Sequence, residues 1–173
     1  PLWIGFGRDE ETLAAWIATQ SAEEKAGIQL FAMDMHRAFF NAVRADPALD
    51  HAAIIHDPFH VMKRVGEAVS DIRKDAFFRA GPEMRSIGRG SRWLVLRAWE
   101  RCTDNQQEEL RFLFWNNAQL GRAYQIKEEV RAAFRAPDRA SMEIVMKRIL
   151  RRTQARCHTH LRKLHDSLKD HWE

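Results

Sequence analysis

Two short apolar runs flanking a helical stretch, between Ile28 and Asp57, limit the fold of this chain more than any other feature. Ile28–Met33 and Ala52–Ile55 read as buried strands. Arg37–Ala45 reads as the helix between them, with Phe39, Phe40 and Val43 as its apolar face and Pro47 as its stop. A strand–helix–strand crossover forces the two strands to lie parallel or nearly so. Ligands of open α/β sheets gather at the carboxyl ends of the strands. Those ends carry Asp34 and Asp57.

Upstream, Leu2–Phe6 reads as a further buried strand, and Asp9 as the N-cap of a short helix whose apolar positions are Leu13, Ala14, Trp16 and Ile17. Ser21–Gly27 adds another helical turn or two. The character changes at Pro58. From there Val61, Met62, Val65, Ala68, Val69, Ile72 and Ala76 keep a helical period for about five turns. Gly81–Pro82 and Gly88–Gly90 break the chain, and everything after Ser91 reads as helix with short joints. The pattern predicts a small α/β portion over residues 1–80 and an all-α portion over residues 81–173.

Charge divides earlier, at Pro58. Residues 1–57 carry four Lys/Arg against nine Asp/Glu, whereas residues 58–173 carry 24 against 15. A basic second part suits a polyanion such as DNA, although long charged helices also show a solvated face of this kind. The basic candidates for phosphate contact are Lys63 and Arg64, then Arg89 and Arg92 around the glycine break, then Lys147, Arg148, Arg151, Arg152 and Arg156. Tryptophans are more often core than stacking platforms, and Trp93, next to Arg92, is the exception worth testing. Two cysteines are too few for a disulfide scaffold, so a reducing, cytoplasmic setting is the default. No apolar run approaches the ~20 residues that span a bilayer.

The absence of a phosphate-binding glycine loop and of a Gly-x-Ser-x-Gly elbow argues against nucleotide-driven and serine-hydrolase chemistry. His56-Asp-Pro-Phe-His60 imitates a zinc-protease motif, but Pro58 lies between the histidines and Asp replaces the basic Glu. Cys157-His158-Thr-His160, with His165 beyond, lacks a second cysteine pair and reads as a polar helix face. Asp34, just past a strand, is well aimed for a divalent metal with oxygen ligands, yet on spacing alone the commoner role is to cap the helix that follows. Asp57 before Pro58 is a strong helix start, and His60 at the third helical position can meet it there.

Three stretches together resemble bacterial insertion-sequence transposases of the ISL-three group. They are Met33-Asp34-Met35 followed by Ala42-Val43, then Ile54-Ile-His-Asp-Pro-Phe-His-Val-Met-Lys63, then Gly90-Ser-Arg-Trp-Leu-Val-Leu96 with Ala123-Tyr-Gln-Ile-Lys-Glu128. The second is similar to that group's Asp-x-Phe-His-Val signature. The resemblance covers about residues 2–130, and Leu168–Trp172 is similar as well.

The resemblance implies a DDE-type transposase: a ribonuclease-H-like sheet with flanking helices, followed by a helical insertion region. Three carboxylates would hold two divalent ions, magnesium or manganese, for in-line displacement at phosphorus. Asp34 corresponds to the second carboxylate, and Asp57 with His60 to a supporting Asp-x-x-His pair; a different carry-over makes Asp57 the catalytic carboxylate. The family's first Asp belongs upstream of Leu2 and its final Glu beyond Trp172, so the chain is expected to be an internal fragment, inactive alone. Partners would be transposon-end and target DNA, with a homodimer as a further expectation. The competing reading is a non-catalytic helical DNA-binding or assembly module.

Overall fold

A computed structural model describes residues 3–154 and 158–170. Leu2, Arg156, Cys157 and Trp172, which figure in the sequence reading, lie outside them. The chain divides into two compact units, Pro1–His60 and Val61–Glu173.

In the first unit, helix α1 (Glu10–Thr19) starts where Asp9 accepts the Thr12 amide at 2.8 Å. Helix α2 (Ala22–Gly27) opens on a capping box, Ser21 and Glu24 each satisfying the other's backbone amide. Strand β1 (Leu30–Met33), helix α3 (Arg37–Arg44), a 3-10 turn (Pro47–Leu49) and strand β2 (Ala53–His56) complete the crossover. The strands are parallel, with Leu30 opposite Ala53 and Met33 opposite His56. Strand–helix–strand is therefore present as the sequence pattern requires.

Two expectations fail here. Trp3–Phe6 forms no strand. The strands are also not buried on both faces. Phe31, Met33 and Ile54 pack against a core of Ile17, Ala42, Val43 and Leu49, whereas Leu30 and Ile55 on the opposite face are 49% and 48% exposed. The apolar run hid this alternation, because both faces carry apolar residues.

In the second unit all described elements are helical. Helix α4 (Pro58–Arg73), whose first residues still belong to the first unit, buries Val61, Val65, Ala68, Val69 and Ile72 on one face. It runs on into a π-helical turn (Lys74–Phe78). Helix α5 (Pro82–Gly88) packs on that turn: a Cβ at Gly88 would sit 2.4 Å from the Cβ of buried Phe77, so only glycine fits. Helix α6 (Ser91–Leu96) follows Gly90, whose φ of 77° is left-handed.

A 3-10 turn (Trp99–Arg101) leads to helices α7 (Asp104–Asn116), α8 (Ala118–Ala133), α9 (Arg139–Gln154) and α10 (Thr159–Lys169), each packed on the next. Helix α7 opens on a capping box of Thr103 and Gln106. No helix among the described residues is long and apolar enough to cross a membrane.

Candidate functional site

Asp34 follows the last residue of β1, and Asp57 the last residue of β2. The ladder carries the pair together, for the Asp57 amide donates to the Met33 carbonyl at 2.9 Å. Both carboxylates thus stand at the carboxyl end of a parallel sheet.

Asp34 does not cap a helix. The N-cap position of α3 belongs to His36, which makes no side-chain cap bond. Instead Oδ2 of Asp34 accepts from the Arg8 guanidinium at 3.1 Å, and Oδ1 is buried with no hydrogen-bond partner. The Arg8 side chain is 74% exposed, so this ion pair is weak and easily exchanged. A buried carboxylate oxygen without a donor is costly unless something positive meets it. Oxygen donors of this type suit magnesium or manganese. Asp34 fits such an ion as one ligand, although neither it nor Asp57 joins a three-ligand group among the described residues.

Asp57 does two things at once. Its Oδ1 accepts the Phe59 amide at 2.9 Å, opening α4, and its Oδ2 meets Nδ1 of His60 at 3.0 Å. Against that carboxylate a neutral His60 carries its proton on Nδ1, which leaves Nε2 as the ring's acceptor. Phe59, 70% exposed, meets the His60 ring edge-on at 5.5 Å.

The basic candidates differ in how free they are. Lys63, Arg89, Arg92 and Arg151 are exposed and form no ion pair among the described residues. Lys147 pairs with Glu143 at 3.5 Å and Arg148 with Glu129 at 3.9 Å. Arg152 binds both Glu129 and Gln125, and Arg64 donates to Ser167 at 3.2 Å. The α9 cluster is thus in part spent on holding α8 to α9. Trp93 is 70% exposed, with the Arg92 guanidinium 4.9 Å over its ring. Trp115 is 88% exposed, against the expectation that the tryptophans other than Trp93 are core.

The Ala123–Glu128 stretch is structural. Buried Lys127 donates to the Arg97 carbonyl at 2.5 Å, pairs with Glu128 at 2.9 Å and lies 3.9 Å from the centre of the Tyr124 ring. The Tyr124 hydroxyl donates to the same carbonyl at 3.0 Å. Burial pushes the Lys127 ammonium below its ordinary pKa and the Tyr124 phenol above its own.

One group escaped the sequence reading. His158 and His160 do not form a plain polar face: their rings stack at 5.1 Å, and both meet Asp75, which is 85 residues away from His160. His165 turns elsewhere, to Thr153 and the Leu150 carbonyl. The His-x-His spacing was visible, but its carboxylate comes from a distant helix end.

A family model for transposases, of the DDE type and ISL-three group, matches residues 1–173. The chain is also similar to the "Transposase for insertion sequence element IS1001" of Bordetella parapertussis, 32% identical over 133 residues. That alignment takes in 75% of this chain and 32% of the relative, so the chain spans about a third of the relative's length. No solved structure matches.

Proposed function

The chain belongs to the ISL-three transposase family, and from that premise we propose that it carries part of the metal-dependent catalytic region of a DNA transposase acting in the bacterial cytoplasm. The observation that carries this reading is Asp34: a carboxylate at the carboxyl end of a parallel strand, with one buried oxygen lacking a hydrogen-bond donor. In this reading the two-stranded sheet is part of a ribonuclease-H-like fold, residues 1–80 belong to the catalytic domain and residues 81–173 to the inserted helical region.

Asp34 would hold a magnesium or manganese ion. When bound there, the ion supplies Lewis-acid activation of a hydroxyl or water and charge to balance the leaving oxygen. Asp57 and His60 are positioning residues. Asp57 fixes the start of α4 and the His60 tautomer, which leaves Nε2 as the ring's hydrogen-bond acceptor. Lys63, Arg89, Arg92 and Arg151 would steer and hold phosphates, joined by Arg64, Lys147, Arg148 and Arg152 where their present partners yield. Transposon-end and target DNA are the partners in this reading, and a homodimer brings two ends together.

The test is an excision assay with the complete open reading frame that encodes these residues. Asp34→Asn is expected to abolish excision, by a thousandfold or more, while leaving DNA-end binding within about twofold. Asp57→Asn, which keeps a good N-cap, is expected to lower excision without abolishing it. Excision at normal rates by the Asp34→Asn protein would overturn the reading in favour of a non-catalytic module.

A further inference from the structure

Beyond the family's carboxylate chemistry, we infer that Asp75, His158 and His160 form a second metal site, one selective for zinc or a similar borderline cation. The inference does not rest on the role of Asp34.

The geometry is that of a ligand set. One donor atom from each of the three residues lies within 4.8 Å of the other two. Oδ2 of Asp75 is 3.0 Å from Nε2 of His160 and 3.5 Å from Nε2 of His158. Tetrahedral zinc, with bonds of roughly 2.0–2.1 Å, holds its ligand atoms about 3.3–3.4 Å apart, so small side-chain shifts would close the three around one ion. Two imidazoles and one carboxylate are the donors of zinc, not of magnesium, which takes oxygen ligands.

The supporting shell is also present. Nδ1 of His160 faces the Asp71 carboxylate at 4.0 Å, near enough for a small shift to make Asp71 the partner of an Nδ1–H once Nε2 exchanges its bond to Asp75 for a metal. Asp71 and Asp75 are four residues apart, where α4 gives way to its π-helical turn, a departure frequent at functional sites. His158 is the N-cap of α10, and its Nδ1 accepts the His160 amide over a long 3.4 Å. Metal binding through Nε2 would put the proton on Nδ1 and give up that weak bond.

All three side chains are about a quarter exposed, so an ion can reach them. A groove between α4 and α10, lined by Arg64, Asp71, His160 and Lys163, opens beside them. A bound ion would tie the end of α4 to the start of α10 with three protein ligands and leave a fourth position for water.

Titration calorimetry of the intact chain with zinc chloride tests this, read beside the imidazole proton signals of His158 and His160. The expected result is one saturable zinc per chain, undisturbed by a hundredfold excess of magnesium, with both imidazole signals shifting at stoichiometry. Asp75→Asn and His160→Ala are each expected to weaken binding at least tenfold. Circular dichroism identifies a variant that fails to fold, and the wild-type imidazole signals then decide. Unmoved His158 and His160 signals at saturating zinc, or zinc affinity unchanged in both folded variants, would overturn the inference.

Discussion

Single side chains in this molecule carry roles that their sequence neighbourhood does not announce. Lys127 is the clearest case. Its spacing lines it up with Leu120, Tyr124, Val130 and Phe134, but nothing beside it in the sequence announces that, at 2% exposed, it spends its ammonium on the Arg97 carbonyl. Lys127→Met keeps the stem and deletes the charge. It is expected to destabilise the fold by about 1–3 kcal/mol in urea titration, the usual cost of losing a charged hydrogen bond in the interior. The Arg97 carbonyl keeps the Tyr124 hydroxyl, which holds the loss below the upper range for an orphaned group. Trp93 is the opposite case, a large ring left in solvent under Arg92. Trp93→Ala is expected to leave the unfolding midpoint almost unchanged and to weaken single-stranded DNA binding by 5-fold to 100-fold in fluorescence anisotropy, the range of one lost base stack. Equal loss of stability would make Trp93 a packing residue instead.

At the scale of elements, the caps and stops were the most legible part. Asp9 and the Asp57–Pro58 start each open a helix where the sequence places one. Their chemistry is local, so a few adjacent residues suffice to read it. Asp34 was not legible in this way. Its strand-end position allowed a cap or a ligand, and only the fold, in which His36 takes the cap position and Arg8 meets the carboxylate, removes the cap. The Asp75–His158–His160 group was invisible for the same reason, since its members come from two helix ends.

Between elements, Glu100 ties the 3-10 turn at Trp99–Arg101 to α8 through Arg131, with Arg135 beside it at 3.3 Å. The Arg131 guanidinium holds the Glu100 carboxyl down to about 2. A carboxylate whose folded pKa lies below its unfolded value stabilises the fold at pH above the unfolded pKa, about 4.3. That contribution fades as pH falls from there towards about 2. Thermal unfolding should therefore show a decline in acid that is shallower in Glu100→Gln. Parallel acid profiles in the two proteins would remove Glu100 from the account.

For the whole molecule, the sequence conveyed a crossover of parallel strands followed by helices, because strand and helix periodicities differ plainly. It misjudged how the sheet is covered. Leu30 and Ile55 are apolar but face outward, and an apolar run cannot say which of its faces meets a partner layer. The family resemblance rested on Met33–Met35, Ile54–Lys63 and Gly90–Leu96. In the fold these lie at the strand ends, at the start of α4 and at the left-handed turn before α6. Two of the three therefore converge on the ends of β1 and β2, which is why the Asp34 reading is the one to test.

That reading stands or falls on whether Asp34 binds a divalent ion. Amide spectra of the isotope-labelled chain, titrated with manganese, address it directly. Selective broadening of the Asp34, Met35 and Asp57 amides is expected, reversed by excess magnesium and lost in Asp34→Asn. Broadening that leaves these amides sharp, or that persists unchanged in Asp34→Asn, would contradict it.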